Sequence, residues 1–231
     1  MIVVATHNGQ ESLDRLLASM LRHGTQGWDV CIVVSNDSTN EYKAYVQSLR
    51  RDWGPFKLEV LVEPWGSFES GAFIHAYREL HTVNEFLFLQ DSMEVTDNDW
   101  IEQFRTRMSQ GLCVVPWVTF SPYLLGCTPQ VSNIIVQTHG LYREPGFGIF
   151  GSIFYTNRRT LEIVDRASYF DFIPKNKAEA EAMERFWALY FNRLNIPMNP
   201  IHPNGFQFIR DGGHHPMLRK YFHSKVGSAR G

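Results

Sequence analysis

The chain has 231 residues, 44% of them hydrophobic and 20% charged, with a formal net charge of −2 at pH 7. That length suits one large domain, the apolar share excludes a disordered chain, and the charge gives no global reason to expect nucleic-acid binding. Cys31, Cys113 and Cys127 are odd in number, widely spaced and in no C-x-x-C pair, so buried free thiols in a reducing compartment are expected instead of a zinc site or a disulfide framework.

In chain order, Ile2 to Ala5 is a short apolar strand that breaks at Thr6-His7-Asn8-Gly9. No basic leader precedes it, and no run reaches the ~18 apolar residues of a membrane-spanning helix. A cytoplasmic protein is therefore expected. Leu13, Leu16, Leu17, Met20 and Leu21 recur at helical spacing. Asp29 to Val34 is a second strand, ending in Ser35-Asn36-Asp37-Ser38-Thr39, and a helix with Tyr42, Tyr45, Val46 and Leu49 on one face follows. Lys57 to Val62 is a third strand, and Glu63 to Phe68 a loop holding Pro64 and Gly66. A helix from about Glu69 to His81 turns Ala72, Phe73, Ala76, Tyr77 and Leu80 inward. The apolar run Phe86 to Leu89 then stops abruptly at Gln90-Asp91-Ser92. Asp97 is placed to cap a helix carrying Trp100, Ile101, Phe104 and Met108. Leu112 to Val118 is a further strand, in which Pro116 predicts a sheet edge or a bulge.

This alternation predicts βαβ units, hence an α/β fold with a mainly parallel sheet and helices on both faces. Ligands of such sheets bind outside the carboxyl ends of the strands. The polar tips at Thr6 to Asn8, Ser35 to Thr39 and Gln90 to Ser92 would then line one crevice. The 35–39 turn also suits a plain Asx or Ser/Thr turn that opens a helix.

After residue 118 the regularity fades. Residues 119 to 146 hold Pro122, Gly126, Pro129, Gly140 and Pro145 and one apolar run, Ile134 to Val136. Phe147 to Thr156 is strand-like and aromatic. Lys177 to Leu194 is a helix with Met183, Phe186, Trp187, Tyr190 and Leu194 on its apolar side. The tail holds a short strand at Phe206 to Ile209 and then a Gly-, His- and Lys/Arg-rich segment. Gly146 to Gly151 matches G-x-G-x-x-G, but a dinucleotide fingerprint follows a strand and opens a helix, whereas this one follows Tyr-Arg-Glu-Pro and runs into a strand. A dinucleotide-dependent oxidoreductase is the lesser alternative.

Four segments, taken together and in order, resemble the GT-A glycosyltransferases of the family-2 type. They are Val3 to Gly9 leading into Ser12-Leu13-x-x-Leu16-Leu17, Ile32 to Thr39, Gly71 to Arg78, and Gln90-Asp91-Ser92. The last stands where that family carries its acidic DXD segment. The resemblance implies a GT-A fold with a nucleotide-sugar-binding half, residues 1–118, and an acceptor-side half with a C-terminal lid, residues 119–231. It implies transfer of a sugar from a nucleotide donor such as a UDP-sugar to a hydroxyl on a glycan, lipid, protein or modified base, with inversion. Thr6, Asn8, Asn36, Asp37, Arg78, Gln90 and Asp91 would meet the donor. Asp91 would hold Mn²⁺ or Mg²⁺, hard cations that want oxygen ligands, with His214 or His215 completing the set. Basic residues in place of a cation remain open. Glu184 would take the acceptor hydroxyl's proton, with Glu181 one turn earlier in reserve. Both glutamates also suit an ordinary solvated helix start. The tail carries Arg210, Arg219, Lys220, Lys225 and Arg230, and the lid from Gly212 onward would bring its cations towards the leaving diphosphate. With a single acid in the motif, the alternative from another class is a catalytically silent nucleotide-sugar or glycan-binding module.

Overall fold

The computed structural model describes residues 1–108, 113–120, 130, 133–134, 137, 147–149, 153–202 and 217–221. The first half alternates as the sequence predicts: β1 (Ile2–Thr6), α1 (Gln10–His23), β2 (Val30–Val34), α2 (Asn40–Ser48), β3 (Arg51–Asp52), β4 (Lys57–Val62), α3 (Glu69–Glu79), β5 (Glu85–Gln90), β6 (Met93–Val95) and α4 (Trp100–Met108). Then come β7 (Cys113–Phe120), β8 (Phe147–Ile149), β9 (Phe154–Asn157), α5 (Arg158–Arg166), α6 (Lys177–Arg193), β10 (Met198–His202) and β11 (Leu218–Lys220).

The main sheet runs β10-β7-β9-β5-β1-β2-β4-β3, with β8 on β7. β1 pairs in parallel with β2 and β5, in registers that set Thr6 opposite Val34 and Ala5 opposite Gln90. β4 joins β2 in parallel, Val62 opposite Val34. Four chain segments therefore end at one level of one sheet edge.

Every residue of β1 and β2 is buried, because helices cover both faces. Side chains alternate across the pleat. Val3 and Ala5 pack with Phe73, Phe88, Phe154 and Trp187 under α3, α5 and α6. Ile2 and Val4 pack with Leu13, Leu16, Trp100 and Phe104 under α1 and α4. Cys31 is a buried free thiol, pushed up to about 12 by burial and therefore unreactive.

Several details depart from the sequence reading. Leu21 is 40% exposed, on the outer side of α1. Asp97 accepts from the Asp99 amide at 2.7 Å, an Asx turn one step ahead of α4, instead of capping the helix itself. Pro116 lies within an interior strand. On that flank β9 pairs Cys113 and Val114 and β8 pairs Val118 to Phe120, so the proline falls between the two partners. The dinucleotide reading fails because Phe147–Ile149 is a strand antiparallel to β7 where a helix would have to open. α5 was not anticipated. Its Leu161 and Val164 are buried, and the Asn157 side chain caps it by accepting from the Thr160 amide.

Candidate active site at the strand ends

A cavity of about 660 Å³ opens over the carboxyl ends of β1, β2 and β5 and is walled by α3, α6 and β11. Asp91 leaves β5 with its amide bound to the Ala5 carbonyl at 3.1 Å. Its carboxylate accepts from the Thr6 hydroxyl at 2.6 Å, and Thr6 in turn meets the Tyr42 hydroxyl. Burial pushes the Tyr42 phenol up to about 12, which keeps it a neutral partner. Gly9 has an ordinary φ of −106°, yet a Cβ there would stand 2.6 Å from Asp91 Oδ2. The glycine gives the carboxylate its room.

The β4 end is built differently. Glu63 is fully buried. Its two oxygens accept from the Ser35 hydroxyl (3.0 Å), the Asn36 amide (3.1 Å), the Trp65 amide (2.8 Å), the Ser67 amide (2.9 Å) and the Ser67 hydroxyl (3.0 Å). One carboxylate thereby pins the β2 and β4 loops together. Ser67 packs so tightly on α3 that a Cβ on Gly71 would lie 1.7 Å from its hydroxyl oxygen. Asp37, at the cavity rim, shares the single Ser35 hydroxyl proton with Glu63, its Oδ1 lying 2.6 Å from Ser35 Oγ, and pairs with His7 at 3.3 Å.

The opposite wall carries charge. α6 starts on a reciprocal cap, in which Asn176 accepts from the Glu179 amide at 3.0 Å and donates to the Glu179 carboxylate at 2.8 Å. Glu181 and Glu184, three residues apart and so on one helix face, both line the cavity. Glu184 pairs with the buried Arg185 at 3.4 Å, and Glu181 lies 3.9 Å from Lys177. β11 pairs antiparallel with β6, Lys220 opposite Met93, and so carries a C-terminal lysine to the β5 tip. The Lys220 ammonium meets the Gln90 amide oxygen and, at 3.3 Å, the Ser92 hydroxyl. Gln90 donates its amide to Glu69 at 2.6 Å. Burial raises the Glu69 carboxyl above its ordinary value. Burial lowers the Lys220 ammonium, against the pull of Glu69, Glu184 and Asp91.

Of the residues expected from the sequence, Thr6, Asp37, Gln90, Asp91, Glu181 and Glu184 come together in this cavity. Asn8 does not line it. It adopts a left-handed φ of 52° and accepts from the Thr39 amide at 2.9 Å, tying the β1 loop to the start of α2. Asn36 donates its side chain to the Pro64 carbonyl at 3.3 Å, outside the wall. Arg78 pairs with Asp165 at 3.6 Å. It sits nine residues beyond Glu69 on α3, hence about 13 Å along the helix from the cavity. His214 and His215 lie outside the described residues. Glu63, Glu69 and Arg185 were not singled out from the sequence. Glu63 had a signal, since it follows β4 as Asp91 follows β5; Glu69 and Arg185 looked like ordinary helix charges. Lys220 was expected only as one of several cations of a C-terminal lid; Leu218–Lys220 forms a strand paired with β6.

No helix among the described residues is long and apolar enough to cross a membrane. A comparison with curated proteins finds no match. Among solved structures, the fold is similar to the mannosyltransferase PcManGT from Pyrobaculum calidifontis in complex with GDP-Man and Mn²⁺, at 11% identity and a TM-score of 0.53, over 86% of this chain and 53% of that one. The bifunctional glycosyltransferase WbbM gives 11% identity and a TM-score of 0.50, over 86% of this chain and 38% of that one. Residues 1–349 of S. aureus TarS give 14% and 0.49, over 83% and 55%. The chain thus spans about half the length of TarS 1–349 and of PcManGT. The fold is the GT-A α/β arrangement. The family description "Glycosyl transferase family 2" matches residues 1–172, most of the chain and all of the strands from β1 to β9. The chain belongs to glycosyl transferase family 2.

Proposed function

We propose that the cavity binds a nucleotide-sugar and transfers its sugar to an acceptor hydroxyl with inversion. The observation that carries this is the placement of Asp91 and Glu184. They come from a strand tip and a helix on different walls of one cavity, with the Lys220 ammonium lining it beside the same strand tip. In this reading the nucleoside lies against Thr6, Ser35 and Asp37, and the diphosphate lies towards the β5 tip. Glu184 takes the acceptor's proton as the hydroxyl oxygen attacks the anomeric carbon. The bond from that carbon to the diphosphate breaks, and its electron pair leaves on the phosphate oxygen. Inversion follows from a single attack opposite the leaving group.

The metal implied by the family resemblance would have to be held by Asp91. Among the described residues no group of three or more His, Cys, Asp or Glu side chains converges as ligands. Asp91 already accepts from Thr6, while the oxygens of Gln90 and Ser92 face an ammonium. That donor set does not fit a divalent cation, and no step is routed through one.

The test is a panel of UDP-, GDP-, CDP- and dTDP-sugars. One matching nucleoside diphosphate should stabilise the protein, by ~2.7 kcal/mol at ~100 times its Kd. The matching sugar should be released or transferred, and NMR should show the product anomer inverted. Stabilisation with no release or transfer from any donor would instead identify a silent binding module.

A further inference from the structure

A leaving diphosphate needs positive charge beside it. Around the β5 tip the cavity wall holds Glu69, Asp91 and Glu184, the last paired with Arg185, and the acids alone would repel a phosphate. In the same wall stands the Lys220 ammonium, in contact with the Gln90 amide oxygen and the Ser92 hydroxyl. Its position comes from backbone pairing. The Thr96 amide donates to the Met217 carbonyl at 3.0 Å and the Tyr221 amide to the Ser92 carbonyl at 2.8 Å, so β11 is held at both ends. Side chains alternate along a strand. Arg219 accordingly turns to Glu94, at 3.5 Å, while Lys220 turns to Gln90 and Ser92 in the cavity. Glutamine and serine are the two residues flanking Asp91, and both offer neutral oxygens suited to an ammonium.

We propose that Lys220, in place of a divalent cation, binds the donor's diphosphate and stabilises it as it leaves; this rests on the nucleotide-sugar reading above. The ammonium donates hydrogen bonds to the departing phosphate oxygen and transfers no proton. The acceptor proton ends on Glu184. Gln90 and Ser92 aim the ammonium, and the nearby Glu69, Glu184 and Asp91 favour its charged form against the effect of burial.

Calorimetric titration of the full chain with UDP, GDP, CDP and dTDP, and with the matching monophosphate, tests this in excess EDTA and in Mn²⁺. The diphosphate that binds should do so equally in both buffers. Lys220→Met should weaken it by about tenfold or more, leave the monophosphate within about twofold, and be partly rescued by Lys220→Arg. Binding that collapses in EDTA and returns with Mn²⁺ would overturn the proposal, and this arm needs no variant to fold. A folded Lys220→Met protein with wild-type diphosphate affinity would overturn it equally. If no nucleotide binds in either buffer, the nucleotide-sugar reading itself fails, and the proposal falls with it.

Discussion

The two sides of the cavity handle buried carboxylates in opposite ways. At the β4 end, Glu63 is saturated by neutral hydrogen-bond donors from residues 35, 36, 65 and 67. At the β5 end, Glu69, Asp91 and Glu184 share the wall with Lys220 and with Arg185, which pairs with Glu184. A carboxylate with all its acceptor sites filled has no capacity left for a ligand; it is a fixture that shapes loops. A cluster of charged groups, three acids against Lys220 and Arg185, has charge left to respond to a ligand. The first side should therefore break as stability and the second as turnover.

Glu184→Gln tests the charged side most severely. It keeps size and helix propensity but cannot take a proton. Turnover should fall ~10²–10⁴-fold with nucleotide affinity retained. If only Glu181→Gln does this, the base lies one turn earlier. Asp91→Ala should cost ~10²–10³-fold in turnover with the melting temperature nearly unchanged, because the carboxylate lines the cavity instead of packing the core.

Glu63→Gln tests the neutral side. Either amide orientation sets an NH₂ against N–H donors that now have a carboxylate to bind. The expected loss is about 2 kcal/mol or more of stability. Thermal unfolding followed by far-UV circular dichroism reads it directly. A variant that melts like wild type but has lost nucleotide binding would make Glu63 a ligand-contacting group and erase the contrast.

Gly9→Ala sharpens the comparison, since its backbone conformation tolerates alanine and only Asp91 stands in the way. A displaced carboxylate should lower turnover by about tenfold with little change in melting temperature. Arg78→Ala should do least. Its pair with Asp165 is partly exposed, so the loss should stay within ~1 kcal/mol, and nucleotide affinity should not move. Weaker nucleotide binding by this variant would place Arg78 at the donor after all.

The first ninety-two residues could largely be read in order because β1, β2 and β5 are buried on both faces and end in polar residues, while the exposed two-residue β3 left no pattern to read. Local pattern alone therefore marked the β1, β2 and β5 tips and the crevice they share, and the family resemblance rested on the same segments. Glu184 was legible as a helix-start carboxylate, with only the resemblance to lift it above the ordinary kind. The contacts of Lys220, Glu69 and Arg185 were not legible. Three-residue strands such as β6 and β11 carry no period, and their pairing joins residues 93–95 to residues 218–220. Nothing local in Leu218-Arg219-Lys220 says which basic side chain turns inward. The sequence by itself determined the sheet edge on which a site would form. Which cation stands at that edge was decided by a long-range antiparallel pairing, because strand alternation assigns a side chain to a face only once the partner strand has set the register.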